Sequence, residues 1–161
     1  MPSPKIVLRV DDLSGQATHT LIARHLGGMH EHSPPESVHA LGLEALKDPA
    51  VTLWSAWVGG EIAGCGALKR LDDDAHGARR GEIKSMRVAD GFLGKGIGRA
   101  ILDHIIAEAR KSGIASLWLE TGSGDAFLPA IHLYERSGFT RCGPFGAYVD
   151  DPFSVFMTRR L

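Results

Sequence analysis

Between a strand-like run, GEIKSMRV (81–88), and an amphipathic stretch at 96–112 lies Gly91-Phe92-Leu93-Gly94-Lys95-Gly96-Ile97-Gly98-Arg99, with four glycines in eight positions. A strand that passes through glycines into a helix exposes unpaired backbone N–H groups at the positive end of the helix dipole. Such an arrangement binds phosphate or pyrophosphate. Lys95 and Arg99 fall at the helix start, where stability alone favours acidic residues, and the first acidic side chain is Asp103. Two cations there point to a bound anion. The spacing is not that of a Walker A loop, nor that of the Rossmann fingerprint with its early βαβ unit.

The elements around this loop follow from periodicity. Ile97, Ile101, Leu102, Ile105, Ile106 and Ala109 share one helical face, and Gly113 follows as a stop. Residues 5–10 predict a first strand, and 14–27 and 35–47 predict helices. The second of these is expected to start with Ser33 as N-cap and prolines or Glu36 in its first turn. VTLWSAWV (51–58) and EIAGCGALKR (61–70) predict strands joined by a Gly59-Gly60 hairpin turn. VTLWSAWV is apolar on both pleat faces, which places it centrally in a sheet covered on both sides. The charged stretch 71–81 predicts a solvated connection without the EF-hand spacing. Residues 116–121 predict a strand, 126–137 a helix closed by Gly138, and 139–148 and 154–159 two terminal strands. The three tryptophans lie in strands and are expected in the core.

Composition narrows the class. A length of 161 residues fits one domain spanning 1–161, since domains run to roughly 100–200 residues. With 18 Lys+Arg against 19 Asp+Glu the formal net charge is -1, which argues against a globally basic nucleic-acid partner. Cys65 and Cys142 form no disulfide framework and no CxxC, so reduced thiols and a cytoplasmic location are expected. The first residues lack the apolar core of a signal peptide, and no run approaches the ~20 apolar residues of a membrane span. Neither a membrane nor a nucleic acid is expected as a partner. The 20 glycines are about 12% of the chain against an average near 7%. Turns, or backbone lying close to a ligand, must account for them.

The spacing Leu93-x-x-Gly96-x-Gly98 resembles the pyrophosphate loop, Q/R-x-x-G-x-G/A, of the GNAT N-acetyltransferase superfamily. The stretch Ala130-Ile131-His132-Leu133-Tyr134-Glu135-Arg136-Ser137-Gly138-Phe139 is similar to that superfamily's AxxLYExxGF segment, and EIKSMRV to its preceding strand. The element order fits over nearly the whole chain. The resemblance implies an α/β (α+β) domain with a mixed, mostly antiparallel central sheet flanked by helices on both faces. It implies acetyl-CoA as cosubstrate and no metal. Gly94, Lys95, Gly96, Ile97, Gly98 and Arg99 would hold the coenzyme A pyrophosphate, chiefly by backbone N–H groups. Met86, Arg87 and Val88 would lie along the pantetheine arm. Tyr134 would be the general acid, and Glu82 stands where several members carry a general base. Leu93 departs from the usual Arg or Gln, and Phe127 from a frequent Asn.

Acetyl transfer to an amine needs a neutral amine, which at pH 7 calls for a base acting directly or through water. Strand alternation sets Glu82, Lys84, Met86 and Val88 on one face and Ile83, Ser85 and Arg87 on the other, so Glu82 would face the thioester. His30-Glu31-His32 is too sparse for a metal set. Its segment joins the first two helices, which in the family help wall the acceptor pocket. His30, His32, Glu36 and His39 are therefore candidates for acceptor recognition, with Tyr148 on the far side. The expected function is transfer of an acetyl group to the primary amine of a small-molecule or amino-acid-like acceptor, by direct attack in a ternary complex. A non-catalytic acyl-CoA-binding domain, and acetylation of a protein lysine or N-terminus, are the competing readings. A homodimer is compatible with the resemblance, and the terminal strands offer an edge for one.

Overall fold

A computed structural model describes residues 5–161. One seven-stranded sheet carries the fold, with spatial order β1-β2-β3-β4-β5-β7-β6. Its strands are β1 (Val7–Val10), β2 (Val51–Val58), β3 (Glu61–Arg70), β4 (Arg79–Val88), β5 (Ile114–Gly122), β6 (Thr140–Cys142) and β7 (Ser154–Arg160). All neighbours pair antiparallel except β4 and β5, which are parallel and joined by the crossover helix α3 (Ile97–Lys111). The other helices are α1 (Gln16–His32), α2 (Leu43–Leu46) and α4 (Leu128–Arg136).

The apolar spacing read in the sequence builds two cores, one on each face of the sheet. On one face α3 buries Ile97, Ile101, Leu102, Ile105, Ile106 and Ala109, together with Ile131 and Tyr134 of α4. On the other, Leu21 and Ile22 of α1 and Leu46 of α2 pack with Leu53, Cys65 and Ala67. Leu53 and Trp54, neighbours in β2, go to opposite cores, as the pleat requires. Close packing of α3 explains the two glycines of β3. A Cβ on Gly64 would lie 2.9 Å from Ile101 Cδ1, and one on Gly66 would lie 2.7 Å from Ile101 Cγ2. Trp54 is core, whereas Trp57 and Trp118 are half-buried and donate their indole N–H to Ser55 and Ser116.

Three elements differ from expectation. Helix α1 runs through Gly27-Gly28 to His32, and Ser33 caps its C-terminus by donating its N–H to Met29 O. Gly28 is there for contact, since a Cβ would sit 3.0 Å from Arg87 Nη1. The expected helix at 35–47 is a 3-10 turn (Pro35–Ser37), an extended stretch and the four-residue α2. Its polar side chains turn to tertiary partners instead, with Ser37 Oγ donating to Asp151 Oδ2 at 2.6 Å. The expected strand at 139–148 stops at Cys142, because Pro144 lacks an N–H for a ladder and Gly146 takes a positive φ of 58°. Thus β7 lies inside the sheet, and the three-residue β6 is its edge.

Candidate active site

The site begins where β4 and β5 part. Their parallel pairing runs from Arg79/Ile114 to Ile83/Leu119 and ends there, although β4 continues to Val88 and β5 to Gly122. At the same level β4 carries a bulge. Lys84 pairs with Ala67 and Arg87 with Cys65, so Ser85 and Met86 together oppose Gly66. Ser85 holds a φ of 55°, a conformation costing a non-glycine residue about 1–3 kcal/mol.

The extra residue reverses the alternation expected for β4. Met86 and Val88 join the α3 core, and a Cβ on Gly66 would lie 2.6 Å from Met86 Sδ. Arg87 lies toward α1, beside Gly28. Glu82 therefore does not share a face with Met86 and Val88, which corrects the expectation from strict period-two alternation.

Two cavities flank the parting strands. A groove of about 520 Å³ is lined by Met86, Arg87 and Val88 and by Gly94, Gly96, Ile97 and Gly98 at the start of α3. Gly94 and Gly96 take φ values of 73° and 78°, and Gly96 is the left-handed residue before α3. No acidic residue occupies the first turn of α3. Two predicted contributors stand aside from the groove. The Arg99 guanidinium is paired with Asp103 at 3.0 Å, and the Lys95 ammonium rests over the Phe92 ring, 5.5 Å from its centroid. Neither residue lines the groove; its anion-binding groups are backbone N–H groups at its glycine-bounded end and the guanidinium groups of Arg24 and Arg87, both set against Asp90. Leu93 is an exposed residue of the groove wall.

The second cavity, about 100 Å³, lies on the side of α1 and the 33–40 segment. Its polar wall is built from His25, Ser37, His39, Lys84, Ser85 and Glu120. Phe127, the departure from the family pattern, closes one side with its ring packed on Gly122. Met86, Ala130 and Tyr134 line both cavities, so the two meet at the phenol of Tyr134. Tyr134 is buried, makes no side-chain hydrogen bond among the described residues, and packs edge-on against Phe139. Burial raises its pKa above the ordinary phenol value, which keeps the hydroxyl a donor throughout the neutral range.

The two carboxylates near this junction differ in surroundings. Glu82 lines neither cavity. Its Oε2 accepts from Tyr148 Oη at 2.6 Å and Lys84 Nζ at 3.1 Å, while Lys84 Nζ also donates to Tyr148 Oη at 2.8 Å. Burial, and next the Glu82 charge, push the Tyr148 phenol upward. Glu120 at the end of β5 faces the cavity. Burial raises its pKa, partly offset by the Ser154 hydroxyl, which donates to Oε2 at 2.6 Å.

Of the acceptor candidates read from sequence, His39 lines the small cavity, and Tyr148 stacks edge-on against it at 5.0 Å. His32 reaches only Phe127, ring to ring at 6.4 Å. His30 and Glu36 are exposed and line neither cavity. Reading the sequence passed over Lys84, Glu120, His25 and Ser85. Glu120 had a usable signal, an acid closing an apolar strand at the C-terminal end of a parallel pair, where α/β sheets bind ligands. Among the described residues no three His, Cys, Asp or Glu side chains converge as a metal-ligand set.

Residues 16–139 match the family model of the acetyltransferase (GNAT) family. The chain belongs to the GNAT family. This GNAT protein is 53% identical over 154 residues to the N-acetyltransferase YsnE of Bacillus subtilis, covering 96% of this chain and 99% of that protein. It is 41% identical over 138 residues to the IAA acetyltransferase of Azospirillum brasilense, covering 86% and 84% of the two chains. Among solved structures, an acyl-CoA N-acyltransferase from Klebsiella pneumoniae superposes with a TM-score of 0.75 at 27% identity, covering 97% of each chain. The protein is an N-acetyltransferase, and family membership implies acetyl-CoA as the acyl donor. No helix among the described residues is long and apolar enough to cross a membrane.

Proposed function

We propose that this GNAT enzyme transfers the acetyl group of acetyl-CoA to the primary amine of a small acceptor by direct attack in a ternary complex. The meeting of the groove and the small cavity at Met86, Ala130 and Tyr134 carries this reading. The donor fits the larger groove. Its glycine-bounded end offers N–H groups for a pyrophosphate, and the unpaired edge of β4 from Lys84 to Val88 offers main-chain groups to an extended arm. Bound there, acetyl-CoA supplies the activated thioester carbonyl. The acceptor enters from the side of the small cavity.

Glu120 is the base in this reading. It is the carboxylate that lines the acceptor cavity, and its raised pKa suits removal of a proton from an ammonium near neutral pH. The freed amine forms a C–N bond to the carbonyl carbon as the C–S bond breaks. Tyr134 donates to the departing sulphur, the second proton leaving the nitrogen returns through solvent to the Tyr134 oxygen, and Glu120 releases its own proton to solvent. Glu82, the position indicated by the resemblance, is a positioning residue here, because it holds the Lys84 ammonium and the Tyr148 phenol rather than facing the cavity. Neither Cys65 nor Cys142 suits a covalent route. The Cys65 thiol is buried and pushed up to about 12, and Cys142 lines neither cavity.

Thiol release from acetyl-CoA with a panel of amines, over a pH series, tests this. Removing a general base lowers kcat by about 10²–10⁴, so Glu120→Gln should do so and flatten the acidic limb of the profile. Tyr134→Phe should lower kcat with little change in the KM for the amine. Unchanged kcat in both variants across the series would overturn the assignment. Binding of ATP or NAD but not of coenzyme A, read by titration calorimetry, would overturn the donor.

A further inference from the structure

We infer that the acceptor is a compact primary amine whose second polar group is uncharged, a hydroxyl or a carboxamide, rather than an amino acid with a free carboxylate. The inference rests on the reading above of the small cavity as the acceptor site. Three observations carry it.

Size comes first. A water molecule takes up about 10–15 Å³ of such space, so a cavity of about 100 Å³ takes roughly seven to ten water-sized groups. That is the scale of a small amine.

Charge comes second. Lys84 is the cavity's one permanent cation, and its ammonium already contacts Glu82 at 3.1 Å with both side chains buried. That pair is neutral as a unit. Glu120 stands without a cationic partner within ion-pair distance among the described residues. The remaining groups do not change the balance. His39 is at the exposed rim against Tyr148, and His25 is held neutral by burial, its pKa lowered to about 4. Arg87 stands behind His25, outside this cavity, with its guanidinium 3.6 Å from Asp90. One carboxylate is thus left to meet one ammonium. A second negative charge on the acceptor would face Glu120 with no free cation to receive it.

The third observation is a pair of buried neutral groups on the opposite wall. His25 is 3% exposed and Ser85 7%, both line the cavity, and His25 Nδ1 and Ser85 Oγ have no hydrogen-bond partner. Buried polar atoms are nearly always paired. A neutral imidazole nitrogen and a hydroxyl in one lining suit a neutral group that both donates and accepts, as a hydroxyl or carboxamide does. The bulge at Ser85 is what places this residue in the lining.

The test uses matched triads of free acid, carboxamide and amino alcohol built on glycine, alanine and valine, with the unsubstituted alkylamines as a fourth arm. Turnover of the full-length enzyme is read by thiol release from acetyl-CoA. Within the preferred size, the carboxamide or alcohol should exceed both the free acid and the alkylamine by at least tenfold in kcat/KM. Ser85→Gly tolerates the positive φ and removes the hydroxyl. It should reduce the preference for alcohol over alkylamine at least fivefold, with coenzyme A binding by calorimetry confirming an intact fold. A free acid equal to its carboxamide, or an unchanged preference in Ser85→Gly, overturns the inference while leaving acetyl transfer to amines standing. A peptide amine preferred tenfold over every triad member overturns the compact acceptor. No thiol release from any amine, with coenzyme A still bound, overturns both readings.

Discussion

Glu82→Gln separates a positioning carboxylate from a catalytic one. The substitution keeps the size of the side chain and an acceptor oxygen and removes one charge. Lys84 then keeps its ammonium in a place where its side chain is 9% exposed, and that of Glu82 5%. Removing one partner of a buried pair typically costs about 3–5 kcal/mol. Here Tyr148 Oη, at 2.8 Å, still accepts from Lys84, and Glu120 remains on the same cavity wall. The loss should therefore fall at or just below the low end, about 2–3 kcal/mol. At about 2–4 °C per kcal/mol for a chain of this size, Tm should drop by about 4–12 °C. Adding Lys84→Met removes the stranded charge, so the double variant should be more stable than Glu82→Gln alone. Thermal and urea unfolding followed by circular dichroism at pH 7 read both. The acidic limb of the kcat/KM profile should survive in Glu82→Gln, unlike in Glu120→Gln. A Tm within about 2 °C of the wild type, or a double variant no more stable than the single, would refute the buried-pair reasoning. Loss of the acidic limb would return the base to Glu82.

Gly66→Ala should destabilise by about 1–3 kcal/mol through overpacking, since its Cβ would lie 2.6 Å from Met86 Sδ and 2.7 Å from Ile101 Cγ2. Because Met86 also lines both cavities, the KM for acetyl-CoA should rise with it; a Tm and KM equal to wild type would show that the bulge has slack. Stability should also fall in acid through His25, whose pKa is lowered from 6.5 to about 4 by burial. The unfolded chain takes up this proton first, so the contribution is full above pH 6.5 and is lost as the pH falls through about 4. The lost amount is about 3 kcal/mol. Urea unfolding between pH 7 and pH 4 should show this slope and His25→Gln should lack it; equal slopes would refute it.

The fold was legible where one local rule decided it. The spacing of Ile97, Ile101, Leu102, Ile105 and Ile106 could fit only a helix with a single buried face, and α3 is that helix. Gly59 and Gly60, at φ 56° and 82°, take the turn that their dipeptide predicts. Legibility failed where a distant contact outweighed the local signal. Gly27-Gly28 reads as a helix end, yet α1 continues because Gly28 meets Arg87, a residue of another element. Val38 to Gly42 reads as helix, yet Ser37 and His39 are held by Asp151 and Tyr148 from the far end of the chain. Sequence periodicity carries no term for such partners.

The site was legible in its parts and not in its assembly, and the bulge at Ser85 is the reason. Period two predicts one face for Glu82, Met86 and Val88, and a single inserted residue separates them. Serine in a left-handed conformation has no strong local signature, so nothing in EIKSMRV announces the reversal. Its consequence is chemical. Without the bulge, Met86 and Val88 would share the face of Glu82 and Lys84, and a base could be read directly from β4. With it, Met86 and Val88 go to the other face, Glu82 stays beside Lys84 and Tyr148, and the carboxylate that lines the small cavity comes from β5. The same inserted residue ends regular pairing near the level where β4 and β5 part, and it brings Ser85 to the cavity wall. One backbone feature thus separates Glu82 from Met86 and Val88 and places Ser85 in the lining of the small cavity. A reading that treats β4 as a regular strand therefore puts Glu82 on the face of Met86 and Val88, which the structure does not.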